Sequence, residues 1–155
     1  MIVSNVSVLV VDYDRAIDFF INKLGFVLLC DVPVTEEQRW VRVAPRASEL
    51  ATDESANVAS GAVASGAVAS GAVAPASAIV LTRANKHQQQ LVGKQAGDGV
   101  FLFLQSDNFW QDYQRMKTAG LEFLEEPREE AYATVVIFRD CEGNKWDLLQ
   151  AKPVA

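Results

Sequence analysis

Histidine is almost missing from these 155 residues: His87 is the only one. Any site that needs two imidazoles is therefore excluded, which removes two-histidine iron triads and ordinary catalytic zinc sites. His87 itself sits in a polar run and reads as a solvated loop or helix residue. Cysteine is nearly as scarce. Cys30 and Cys141 lie far apart, with no C-x-x-C and no neighbouring histidine, and read as a small buried hydrophobe and a turn thiol. Basic charge is also short, with 14 Lys and Arg against 20 Asp and Glu and a formal net charge of −6. Such a balance argues against nucleic acid and against an anionic membrane surface as partners. No apolar run approaches the roughly 18 residues of a spanning helix, and no basic leader with a cleavage site is seen, so a cytoplasmic address is expected.

Apolar residues are present in plenty, at 50% of the chain, enough for a real core. Residues 2–11 alternate as a strand, with Val6, Val8 and Val10 on one face. Asp12 or Asp14 can cap a helix over 15–24, where Ala16, Ile17, Phe19, Phe20 and Leu24 recur at helical spacing before Gly25. Strands are predicted at 26–32, 39–44 and 78–82. Between the last two, residues 59–73 repeat ASGAV three times, a period of five that suits neither helix nor strand. Residues 46–77 therefore read as a long loop with a low-complexity insert. A short helix or turn is expected at 86–94, a strand at 100–104, a helix at 109–119 ending at Gly120, and a strand at 121–124. A hairpin over 135–150 closes the chain, turning at Cys141-Glu142-Gly143-Asn144. Within it, Asp147 is a carboxylate in an apolar strand that needs a partner, a ligand or water.

Strand, helix, three strands is thus written twice. The fold class expected is α+β, with tandem βαβββ modules forming a curved mixed sheet. Residues 1–84 are the first module, 85–97 a linker and 98–152 the second. One helix covers one face of each sheet, which leaves the other face as a concave trough for a small ligand.

The segments from Val10 to Phe20 with Leu24-Gly25-Phe26, and from Phe138 to Leu148, resemble the vicinal-oxygen-chelate superfamily of glyoxalases, bleomycin-resistance proteins and extradiol dioxygenases. Metal-using members of that family hold one divalent ion through four strands. The resemblance carries those four positions to Asn5, Val80, Phe101 and Asp147, of which only Asp147 is an anionic donor. One carboxylate and one amide fall short of what a hard cation needs, so no metal or other cofactor is expected. The resemblance then implies a metal-free protein that binds a small, flat or cationic molecule in the inter-module trough, as bleomycin-type resistance proteins do. Trp40, Phe101, Phe138 and Trp146 are candidate stacking surfaces, and Asn5, Arg42, Arg139 and Asp147 candidate polar anchors. A metal-dependent lyase, isomerase or dioxygenase of glyoxalase type, with Asp147 as a possible base, is the alternative. An interaction protein without a small ligand is a second. The resemblance also implies a homodimer.

Overall fold

A computed structural model describes residues 3–46 and 77–153. The ASGAV repeats, and the loop expected around them, lie outside the described residues. The chain runs β1 (Asn5–Val10), α1 (Tyr13–Asp18), β2 (Val27–Pro33), β3 (Arg39–Ala44) and β4 (Ala78–Arg83), then β5 (Val100–Gln105), α2 (Phe109–Thr118), β6 (Arg128–Glu129), β7 (Ala133–Arg139) and β8 (Lys145–Ala151). Two four-stranded mixed sheets result, ordered β1-β4-β3-β2 and β5-β8-β7-β6. In each, the first strand runs parallel to the last and the remaining pairs are antiparallel.

Both helices begin where side-chain chemistry dictates. Asp12 caps α1 by accepting from the Arg15 amide at 2.9 Å, and Asn108 caps α2 through the Gln111 amide. α1 widens into a π-turn over Phe19–Lys23, with both Phe19 and Phe20 buried. At Gly25 the chain takes φ +76°, a left-handed conformation that only glycine adopts readily. An added Cβ there would also stand 2.7 Å from the Arg115 guanidinium.

The inward-facing strand residues build the core, and the central β4 is buried on both faces over Ala78–Leu81. Val8 and Val10 of β1, Val41 and Val43 of β3, and Ile79 and Leu81 of β4 form one cluster with α1. Val136 and Phe138 of β7, Trp146 and Leu148 of β8, and Phe109, Tyr113 and Met116 of α2 belong to the same cluster. Phe20 meets Trp146 with ring centroids 5.9 Å apart, across the module boundary. The helix-bearing faces of both sheets thus turn inward onto a common core, and their opposite faces turn outward.

The predicted strand at 121–124 does not form; Phe123 makes only an isolated bridge to Phe138, and the pairing strand is the two-residue β6. Leu121 is instead drawn into the core, and its own backbone amide closes back on α2 by donating to Met116 O at 3.0 Å. The segment read as a linker is docked. Gln95 accepts from the Leu9 amide at 2.7 Å, donates to Ser7 O, and its own amide reaches Asn144 Oδ1.

Candidate functional site

The hairpin turn is built around a carboxylate. Asp140 Oδ1 accepts the backbone amides of Glu142, Gly143 and Asn144 at 2.8–2.9 Å. Its Oδ2 accepts from the Asn144 side-chain Nδ2 at 2.9 Å and the Trp146 indole at 3.0 Å. Gly143 has φ +108°, which the tight turn requires. The turn also joins the modules, since Arg15 of α1 pairs with Glu142 at 2.8 Å and donates to Cys141 O. Burial, with Asp140 and Glu142 adding to it, pushes the Cys141 thiol up to about 12, so it is no nucleophile.

From this turn β8 carries Asp147 onto the outward face of the second sheet. Its register partners are Phe103 on β5 and Ile137 on β7. Phe103 is 67% exposed, although it is a large apolar residue in a strand. Asp147 Oδ1 is buried without a hydrogen-bond partner. Burial pushes the Asp147 carboxyl above its ordinary value; Arg128 opposes this, Glu125 adds to it, and a backbone contact with Val136 opposes it weakly. Arg128 reaches outward from β6, already engaged with Glu125 at 3.1 Å and with Glu130. Arg139 lies on the same face, opposite Lys145 at the turn end.

The outward face of the first sheet has a different chemistry. Arg42 on β3 donates from Nε to Asn5 Oδ1 on β1 at 3.0 Å. Its register partners are Cys30 on β2 and Val80 on β4. To reach Asn5 the Arg42 side chain must cross the intervening β4, and the small Val80 is what it crosses there. Trp40, 45% exposed, stands on the same face two residues along β3.

Of the sequence-derived candidates, the structure brings together Asn5, Trp40 and Arg42 on one outward face and Arg139 and Asp147 on the other. Phe138 and Trp146, at 0% and 2% exposure, lie inward in the core and do not join them. Adjacent strand residues point to opposite faces, so Trp146 and Asp147 could not share a surface. Phe101 also packs against the core. A bulge between Val100 and Leu102 takes Phe101 out of the ladder, and the aromatic opposite Asp147 is Phe103.

The donors do not suit a divalent cation. Val80 offers no donor atom, Phe103 stands where β5 meets Asp147, and the Asn5 carbonyl oxygen is taken by a guanidinium that would repel a metal ion. Among the described residues, no three His, Cys, Asp or Glu side chains converge.

Comparisons with known proteins agree with this architecture. A protein of Shewanella frigidimarina is 39% identical over 148 residues, covering 94% of this chain and 90% of its own. YetH of Bacillus subtilis is 26% identical, with 92% of each chain covered. Among solved structures, UcmS2 superposes with a TM-score of 0.68 at 26% identity, covering 95% of this chain and 96% of its own. TnmS3, an antibiotic binding protein from Streptomyces sp. CB03234, superposes with a TM-score of 0.66 at 23% identity, covering 97% and 95%. Residues 2–148 match the family model of the same group, and the chain belongs to the glyoxalase/bleomycin resistance protein/dioxygenase superfamily.

Proposed function

We propose that this protein binds a small, flat or cationic molecule on its outward sheet faces without a metal ion. The observation that carries the reading is the exposure of two aromatic side chains, Trp40 and Phe103, in the middle of strands. A strand residue of that size is usually buried against its own core, and exposed clusters of such surface mark binding sites. Each aromatic stands beside a charged group, Arg42 on the first sheet and Asp147 on the second. Stacking area with a fixed polar anchor is the recipe of a small-molecule site. The fold supports antibiotic binding in TnmS3.

A cytoplasmic homodimer is part of the proposal. The two outward faces lie on opposite sides of the common core, so one chain cannot close a trough between them. A second copy, presenting its second sheet to the first sheet of its partner, would close two equivalent troughs and satisfy two-fold symmetry. No described helix is long and apolar enough to cross a membrane.

Intrinsic fluorescence of the purified protein, titrated with a panel of planar aromatic compounds, tests the reading. Saturable quenching is expected, reduced in Trp40→Phe, because Trp146 is buried and the exposed Trp110 lies on α2 rather than on a sheet face. A panel in which no compound quenches overturns the binding role. Stoichiometric metal in the purified protein, with a melting temperature that drops on chelation, overturns the metal-free part.

A further inference from the structure

Among the described residues, Arg42 is the one arginine that is partly buried and has no carboxylate partner. Arg15, Arg39, Arg115 and Arg128 each pair with at least one Asp or Glu. Arg46, Arg83 and Arg139 pair with none there, but all three are exposed and water serves them. Arg42 instead stands on the outward face of the first sheet between Cys30 and Val80, neither of which carries a charge to match it. Its side chain makes one hydrogen bond, from Nε to the neutral Asn5 Oδ1 at 3.0 Å, in an exposed setting. The face around it is open, with Asn5 and Ser7 of β1 exposed and Trp40 at 45% exposure. A cation partly withdrawn from water without a counter-charge is costly, and an anion that reaches it lowers the cost.

The bond to Asn5 decides which N–H groups such an anion meets. Asn5 Nδ2 donates to Ser4 Oγ at 3.1 Å, which turns the Asn5 carbonyl oxygen towards Arg42. With Nε occupied, the two Nη groups are left as a planar fork whose shape matches both oxygens of a carboxylate. Trp40 lies two residues away on the same strand and face, about 7 Å along it. We infer that this face binds a planar aromatic carboxylate, the Arg42 fork holding the carboxylate while the rings lie on Trp40. This rests on the binding role proposed above and narrows it at the first sheet to a flat, anionic ligand. The net charge of −6 opposes the approach of an anion. That field is screened beyond about 8 Å at physiological salt, whereas a contact pair at Arg42 is screened much less.

The test compares 2-naphthoate with 2-naphthamide, two ligands of nearly one shape that differ in charge. Each is titrated into the full chain by calorimetry near neutral pH. The wild type should bind the acid roughly 10-fold more tightly than the amide, as paired hydrogen bonds between charged groups predict. Arg42→Gln should erase that margin. Arg42→Lys keeps the charge without the fork and should retain only part of it, which also serves should the glutamine variant fail to fold. Trp40→Leu should weaken both ligands alike. Equal affinities in the wild type, or a margin undiminished in the Arg42 variants, overturns the carboxylate assignment and leaves the binding role standing. Failure of both ligands to bind overturns the assignment as well, and the binding role falls with it only if the wider panel also fails to quench.

Discussion

Asp140 and Asp147 are two carboxylates of one hairpin with opposite circumstances. Asp140 is buried and accepts five hydrogen bonds, three from backbone amides and two from side chains. Asp147 faces outward and keeps one oxygen buried with no partner at all. The first is what a structural carboxylate looks like, because five donors of the turn and its flank converge on it. The second breaks the same rule, and native chains tolerate such groups chiefly where something else is meant to fill them. The difference separates a residue that holds the fold from one that, under the proposed function, belongs to the binding face.

The largest expected effect is at Asp140. Asp140→Ala leaves three amides, the Asn144 side chain and the Trp146 indole without their acceptor in a buried turn. Each orphaned donor costs about 1–3 kcal/mol, and they do not add fully because water enters. A loss of roughly 4 kcal/mol is expected in urea unfolding, with a melting temperature lower by about 10 °C or more. A loss under about 1 kcal/mol would erase the contrast between the two carboxylates. Trp146→Phe sharpens it with a smaller step. It removes one donor from Asp140 Oδ2 and part of a ring that packs on Phe20 and Phe138. About 2 kcal/mol is expected from the bond and the lost contact together.

Much of the fold was legible because it is written in periodicity and punctuation. The alternating valines of β1, the Asp12 cap with Gly25 at the far end, and the apolar run of β4 each have a local cause, and each formed where expected. What escaped was non-local or a matter of one residue. The bulge in β5 has no composition signal, and it takes Phe101 out of the ladder and against the core. The docking of residues 93–95 depends on the Gln95 side chain meeting β1 from outside its own module. Gly93, at φ +71°, lies so close to Glu142 O that an added Cβ would sit 2.1 Å away, a contact no local pattern reveals. The inward placement of Trp146 follows from strand alternation alone, since its neighbour Asp147 faces outward.

Asp147→Asn should act in the opposite direction from Asp140→Ala and by less. Burial raises the folded-state pKa of Asp147 above the ordinary 3.8, with Arg128 and the Val136 backbone opposing and Glu125 reinforcing. A carboxyl raised in this way binds its proton more readily when folded. Its favourable contribution is thus fully present below pH 3.8 and is lost as pH rises through the higher folded value. Above that value the wild type carries a charged, half-buried group that the asparagine variant lacks. At pH 7 the variant is expected to be the more stable by up to about 1 kcal/mol, the carboxyl being only partly withdrawn from solvent. Urea midpoints measured from pH 7 down to pH 4 should converge as the wild-type proton binds. Glu125 stands among the charges that act on Asp147, so Glu125→Gln in both backgrounds removes its share from the comparison. A variant less stable than the wild type at pH 7, or a difference that does not shrink toward pH 4, would show that Asp147 is already paired. It would then be a second Asp140 rather than its opposite.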